Sequence, residues 1–314
     1  MNDLAVSVII PTYGRMDTLP EVLDAVEAQD DAPPYELIVV DDGSPDDTPR
    51  YLRQRRFRVP AQVHSQANAG PAAARNRGVA AARADHVAFL GDDTVPSRGW
   101  LAAHLAARDR HARDADNDRP LAVIGYTGWH PRMTLDPFLR YINEYGLQFG
   151  YALIDEPADV PFNFFYTSNL SLPRRCLVDE PFDEGFPYPA WEDIECSYRL
   201  SKRGLRLVYA PTATTAHDHP TTLARFMARQ EKAGFCATVF HARHPELGGF
   251  LGLGPDGPPP PPPIRLQQAR ERMARFLLSI GLSTPRLWEE VLRFHYIRGL
   301  HRGWAARPRG EDRP

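Results

Sequence analysis

The sequence predicts an α/β fold: a doubly wound, Rossmann-like, mostly parallel sheet flanked by helices, with a helical C-terminal extension. Three observations predict it. First, three short apolar runs are each closed by turn residues: Ala5–Ile10 before Pro11, Tyr35–Val40 before Asp41-Asp42-Gly43-Ser44, and His86–Leu90 before Gly91-Asp92-Asp93. Strands covered on both faces of a parallel sheet look like this, because neither face meets water. Second, helical patterns separate the runs. Leu19, Val22, Leu23 and Val26 recur within 16–29, and 72–84 is Ala-rich. Third, the 314 residues are 43% hydrophobic and 25% charged, a globular balance that excludes wholesale disorder, collagen and coiled coil.

The later elements follow from the same rules. Leu101–Ala112 reads as a helix and Leu121–Tyr126 as a strand. Met133–Tyr151 is aromatic-rich and holds at least one helix. Trp191–Gly204 is a helix with Ile194, Tyr198 and Leu200 inward and Gly204 as its stop. Leu205–Tyr209 is a strand and Thr222–Gly234 a helix. Pro258–Pro263 is six prolines in a row, so 248–263 reads as an extended linker. It divides a body over 1–247 from a basic extension over 264–314. The body splits into a nucleotide-binding half, about 1–100, and a second half, about 101–247. The extension reads as two helices broken near Gly281–Pro285, then a frayed polar tail over Arg307–Pro314.

Composition narrows the class. No stretch approaches the roughly 18–20 apolar residues of a membrane span, and the N-terminus reads as a strand and not as a signal peptide. Cys176, Cys196 and Cys236 are scattered, with no C-x-x-C pair, so neither a disulfide framework nor a zinc knuckle is expected, and the cytoplasm is the expected compartment. A net charge of −3 gives no pull towards nucleic acid. The charge is uneven, however: from Ile264 onward 11 Arg face 5 acids. Two readings follow for the extension: a helical cap or oligomer contact, which we favour, and an amphipathic pair in peripheral contact with an anionic membrane.

In open α/β sheets ligands sit beyond the carboxyl ends of the strands. Three loops qualify. Pro11–Arg15 offers the Thr12 hydroxyl, the Tyr13 ring for a planar base and the Arg15 guanidinium for a phosphate. Asp41 can accept from a base N–H or a ribose hydroxyl. Asp92-Asp93 can hold a hard divalent cation, Mn²⁺ or Mg²⁺, that bridges two phosphates. Each piece alone is also ordinary turn chemistry; order and spacing give it weight.

The segments VSVIIPTYGR, ELIVVDDGSPDDT, NAGPAAARNRG, VAFLGDDTVPSRGWL and WEDIECSYRL resemble family 2 glycosyltransferases with the GT-A fold, from Ala5 to about His219. The resemblance implies an inverting, non-processive transfer from a UDP-, GDP- or TDP-sugar to a glycan, lipid-linked or small-molecule acceptor. It implies that Pro11, Thr12, Tyr13 and Asp41 hold the base and ribose, and that Asn68, Gly70 and Arg75 run past the ribose and diphosphate. Asp92 and Asp93 match the acidic metal motif, with Asp93 the direct ligand. Many members carry a carboxylate where this chain has Gly91, so fewer protein ligands are expected.

Glu192-Asp193 matches the position of the catalytic base, with Asp193 favoured and Glu192 as runner-up or acceptor-orienting group. A helix-capping pair is the plain alternative. His217, with His219 as rival, matches the histidine that completes the metal site; at most one of the two is expected to bind. Asn169 and Trp191 are acceptor-side expectations, within an aromatic segment expected to be mostly core. A catalytically silent GT-A domain that binds glycan or protein is the alternative function. A dinucleotide-dependent oxidoreductase is disfavoured, since P-T-Y-G-R stands where G-x-G-x-x-G would be needed.

Overall fold

The computed structural model describes residues 4–113, 119–145 and 148–307. The tail expected beyond Arg307 lies outside them. The chain forms two compact units. The first comprises 1–133, 142–185 and 192–219, and the second 134–141, 186–191 and 220–314.

The first unit holds one eight-stranded sheet. Its first half alternates β1 (Val6–Thr12), α1 (Leu19–Val26), β2 (Tyr35–Asp41), α2 (Thr48–Gln54), β3 (Ala61–Ser65), α3 (Pro71–Ala81) and β4 (His86–Leu90). Then follow β5 (Thr94–Pro96), α4 (Trp100–Arg113), β6 (Leu121–Trp129), α5 (Pro137–Glu144, whose first five residues belong to the second unit), β7 (Asn169–Pro173), α6 (Arg174–Asp179), α7 (Glu192–Lys202) and β8 (Arg206–His217). The strand order is β3-β2-β1-β4-β7-β6-β8-β5. Strands β3, β2, β1 and β4 run parallel, as does β6 with β8, while β7 and β5 pair antiparallel. The α/β expectation holds for the first half, and the sheet becomes mixed beyond β4. All three predicted apolar runs form internal strands, buried except for Ala5 and Tyr35 at their starts.

The edge strand β3 escaped sequence reading because AQVHS is half exposed and lacks an apolar run. Strand β7, Asn-Leu-Ser-Leu-Pro, escaped it because buried polar residues interrupt the apolar pattern. Strand β8 extends well past the predicted Tyr209, through a bulge where its pairing to β6 skips from Ala210 to Thr214.

The second unit corrects the expected linker boundary. Helix α8 (Leu223–Arg243), expected to close the body, packs instead along α10 (Pro285–Ala305), with α9 (Ile264–Ser279) laid against α10. The 248–263 segment is not a free spacer. Leu251 and Leu253 are buried, Tyr296 Oη donates to the Leu251 carbonyl at 3.1 Å, and His301 Nε2 meets the Pro259 carbonyl at 2.9 Å. Within this second unit Trp288, Val291, Leu292 and Leu300 of α10 are buried.

Helices α8 and α10 approach through glycine. A Cβ on Gly299 would lie 2.0 Å from the Glu231 carbonyl oxygen, and one on Gly234 2.0 Å from that of Tyr296. Gly299→Ala therefore forces backbone apart. Overpacking costs about 3 kcal/mol, against a gain of about 1 kcal/mol in helix propensity. Urea unfolding is expected to show a net loss near 2 kcal/mol; a more stable variant would refute the close crossing.

Candidate active site at the strand ends

The carboxyl ends of β1, β2 and β4 sit side by side, since Thr12 pairs with Asp41 in register and Ile9 with Phe89. The three loops are tied together. Gly14 N donates to Ser44 Oγ at 2.8 Å, Tyr13 N to Asp92 Oδ2 at 3.2 Å, and Thr18 Oγ1 to the Asp92 carbonyl at 2.9 Å. Tyr13 is 50% exposed, a ring face open to a planar ligand, beside the buried Thr12. Asp41 is buried and accepts from Ser44 N at 3.0 Å.

Sequence reading missed Asp42. Its buried carboxylate accepts from Gln66 Nε2 at 2.8 Å, Ala69 N at 3.0 Å and Gly70 N at 2.8 Å, and Asn68 Nδ2 donates to its carbonyl. It therefore shapes the Asn68–Gly70 loop, which needs Gly70 at φ +91° to start α3. No local signal marks this role, because the partners lie 24–28 residues away. Asp42→Ala leaves three donors without their acceptor. A destabilisation of about 2–4 kcal/mol in urea is expected, because bonds to a charged group each contribute about 1.5–3 kcal/mol and do not add fully. A loss under about 0.5 kcal/mol would show that the loop holds itself.

The acidic motif draws in residues from the far end of the chain. Strand β5 pairs with β8 so that Thr94 faces His217, and Asp218 N donates to the Asp93 carbonyl at 2.8 Å. His217 Nε2 then lies 3.4 Å from Asp93 Oδ1, and His219 Nδ1 lies 3.0 Å from Asp93 Oδ2. Ligand atoms of Asp93, His217 and His219 lie within 4.8 Å of one another. Both imidazoles reach Asp93, although at most one of the two is expected to bind; residues two apart fall on one side. Gly91 supplies no carboxylate, and a Cβ there would stand 2.6 Å from Thr94 Oγ1 and 3.2 Å from Asp93 Oδ1. Trp129 stacks on His217 at 5.6 Å and holds the ring in place.

Arg15 lies in the same cluster, with Nη2 3.2 Å from Asp93 Oδ2 and 3.1 Å from His219 Nδ1. Burial alone would raise the Asp93 carboxyl; the charge and hydrogen bond of His217, the His219 contact and Arg15 outweigh it and hold it well below its usual range. Asp92 goes the other way, pushed up to about 7 by burial and by the charge of Asp93. One carboxylate and two imidazoles within 4.8 Å of one another can hold a divalent cation.

At the start of α7 the two acids part company. Glu192 is 4% exposed and accepts from Arg75 Nη1 at 2.9 Å, with no hydrogen-bond partner among the described residues at its second oxygen. Arg75, expected near the diphosphate, is thus bound to Glu192, its guanidinium over the Phe182 ring. Asp193 Oδ1 accepts from Ile194 N at 2.9 Å, and its carboxyl is raised to about 7 by burial and then by the charge of Glu192. Glu195 is an ion-pair partner of Arg199 at 2.9 Å. Trp191, just before the pair, has φ +73°, a strained backbone for a bulky residue.

Two acceptor-side expectations are corrected. Asn169 is fully buried, its Oδ1 accepting from Trp100 Nε1 at 2.7 Å and its Nδ2 donating to the Ala213 and Tyr126 carbonyls at the β8 bulge. Both ends of its amide are used within the fold. Trp191 is half-buried, with Nε1 donating to the Ala233 carbonyl at 3.0 Å and its ring against Phe240 and Phe250, so it serves packing. Of the aromatic segment expected to be mostly core, Phe149, Phe164 and Phe165 are buried, Trp129, Tyr141, Phe162, Tyr166, Tyr188 and Trp191 are half-buried, and Tyr145 is exposed.

Comparison with known proteins follows the same lines. A pre-mycofactocin glycosyltransferase of Mycobacterium tuberculosis is 29% identical over 303 residues, covering 91% of this chain and 55% of the relative. A validoxylamine A glucosyltransferase of Streptomyces hygroscopicus subsp. limoneus is 30% identical over 224 residues, covering 63% of this chain and 48% of that protein. The chain thus spans about half the length of these curated relatives. Among solved structures, the mannosyltransferase PcManGT of Pyrobaculum calidifontis, in complex with GDP-Man and Mn²⁺, matches with a TM-score of 0.61 at 18% identity, covering 96% of this chain and 88% of that one. Staphylococcus aureus TarS 1–349 in complex with UDP gives 0.54 at 15% identity, covering 95% and 91%. The fold is therefore GT-A. The family model described as "Glycosyl transferase family 2" matches residues 7–167, half of the chain, and the chain belongs to that family.

Proposed function

We propose that this chain transfers a sugar from a nucleoside diphosphate sugar to an acceptor hydroxyl with inversion, using Asp193 as base and a divalent cation at Asp93, His217 and His219. The observation that carries the proposal is the convergence of those three donors at the end of β4, beside the exposed Tyr13 ring. When bound, the cation offsets the charge that builds on the leaving diphosphate.

The residues divide the remaining work. Tyr13 stacks on the base, and Asp41 accepts from base or ribose. Arg15 contacts Asp93 Oδ2 and His219 Nδ1, and a cation held by those residues would leave its guanidinium to face a phosphate oxygen. The acceptor oxygen attacks the anomeric carbon, the bond from that carbon to the diphosphate oxygen breaks, and the acceptor proton passes to Asp193. A single displacement inverts the configuration. Asp193 suits this better than Glu192: a carboxyl raised to about 7 is a stronger base than a carboxylate already bound to Arg75. Glu192 orients the acceptor with its second oxygen.

The UDP bound to TarS and the GDP-Man and Mn²⁺ bound to PcManGT choose the probes. The test is calorimetric titration with UDP, GDP and TDP, each with and without Mn²⁺. Metal-dependent binding of one nucleotide is expected. No binding of any by folded protein would overturn the proposal in favour of a silent binding domain.

A further inference from the structure

Helix α9 is built inside out. Its buried residues are Gln267 and Ala274, one polar and one small, and its other link to α10 is polar, with Glu271 Oε1 3.0 Å from His295 Nε2. Leu277 and Leu278 are half-buried, but the remaining large apolar side chains point outward. Leu266, Met273, Phe276 and Ile280 recur at helical spacing and are 47–60% exposed, and Leu282 continues the stripe at 50%. A folding chain hides such residues; an exposed row of them marks a partner.

Charge says which partner. On α9 four arginines, Arg265, Arg270, Arg272 and Arg275, stand against Glu271, which is already engaged by His295; Arg270 is paired with Glu290 of α10 at 3.0 Å. Arg265 and Arg272, seven residues apart and both exposed, border the apolar stripe. An apolar stripe edged by arginine is the pattern of a helix lying in the headgroup layer of an anionic bilayer, its rings and alkyl chains in the acyl boundary and its guanidinium groups on phosphates. A second copy fits poorly, because two such faces would bring arginine against arginine. No helix among the described residues is long and apolar enough to cross a membrane, so the contact lies in the surface plane.

We propose that α9 docks this protein on anionic lipid through Leu266, Met273, Phe276, Ile280 and Leu282, with Arg265 and Arg272 on the headgroups. The proposal is independent of the transfer reaction. The test is co-sedimentation of the full chain with vesicles of phosphatidylcholine alone or mixed equimolar with phosphatidylglycerol. Binding to the mixed vesicles is expected, at least about tenfold stronger than to phosphatidylcholine and weakened by high salt. Phe276→Ser with Ile280→Ser is expected to weaken it about tenfold or more while the melting temperature stays the same, since both side chains are exposed. Arg265→Gln with Arg272→Gln is expected to remove the preference for the anionic lipid. Absence of binding to the mixed vesicles, or binding that the Phe276/Ile280 variant leaves intact, would overturn the proposal. So would a wild-type dimer that this variant splits in light scattering, which would make a second copy the occupant.

Discussion

Asp193→Asn is expected to lower turnover by about 100- to 10,000-fold while nucleotide binding and the melting temperature stay near wild type. The amide keeps the shape and the bond from Ile194 N, but it cannot take the acceptor proton. A second signature is the pH profile. The Asp193 carboxyl is raised to about 7 by burial and by Glu192. Below that midpoint it is protonated and cannot act as a base, so kcat/KM is expected to fall tenfold per pH unit on the acid side and level off above it. Glu192→Gln removes a charge that raises Asp193 and frees Arg75, which lowers it. Its acid limb is therefore expected to move to lower pH. Near-normal transfer by Asp193→Asn, or an unmoved limb in Glu192→Gln, would contradict the assignment.

Asp93→Ala is expected to weaken Mn²⁺-dependent nucleotide binding by at least about 100-fold, since loss of even an outer-shell partner costs 10- to 100-fold. Asp93 faces both imidazoles and Arg15. The residual metal-independent binding through Tyr13 and Asp41 is expected to remain. Calorimetry separates the two by titrating the same nucleotide with and without Mn²⁺. Metal-dependent affinity that survives the substitution would remove Asp93 as a ligand. His217→Ala and His219→Ala then apportion the rest; a ligand role for both predicts that each weakens the metal-dependent part alone.

Much of this architecture is local. The β1, β2 and β4 runs, the turns that close them and the start of α7 at Glu192 each depend on the period of apolar residues and on turn or cap chemistry within about ten residues. The sequence therefore determined the α/β class, the strand ends that carry Thr12, Asp41 and Asp93, and the paired acids on a helix N-terminus. Tertiary structure decided the rest. Pairing of β5 with β8, 123 residues apart at Thr94 and His217, brings both imidazoles to Asp93. The Arg75–Glu192 ion pair spans 117 residues, and Asn169 is spent on a bulge in a strand that begins 37 residues later. The face that α9 turns to α10 carries Gln267, Glu271 and Ala274, tied to Val291 and His295. Register and helix packing are set between distant segments by which surfaces fit, and a one-residue slip would turn every side chain to the other face. No local pattern records that choice.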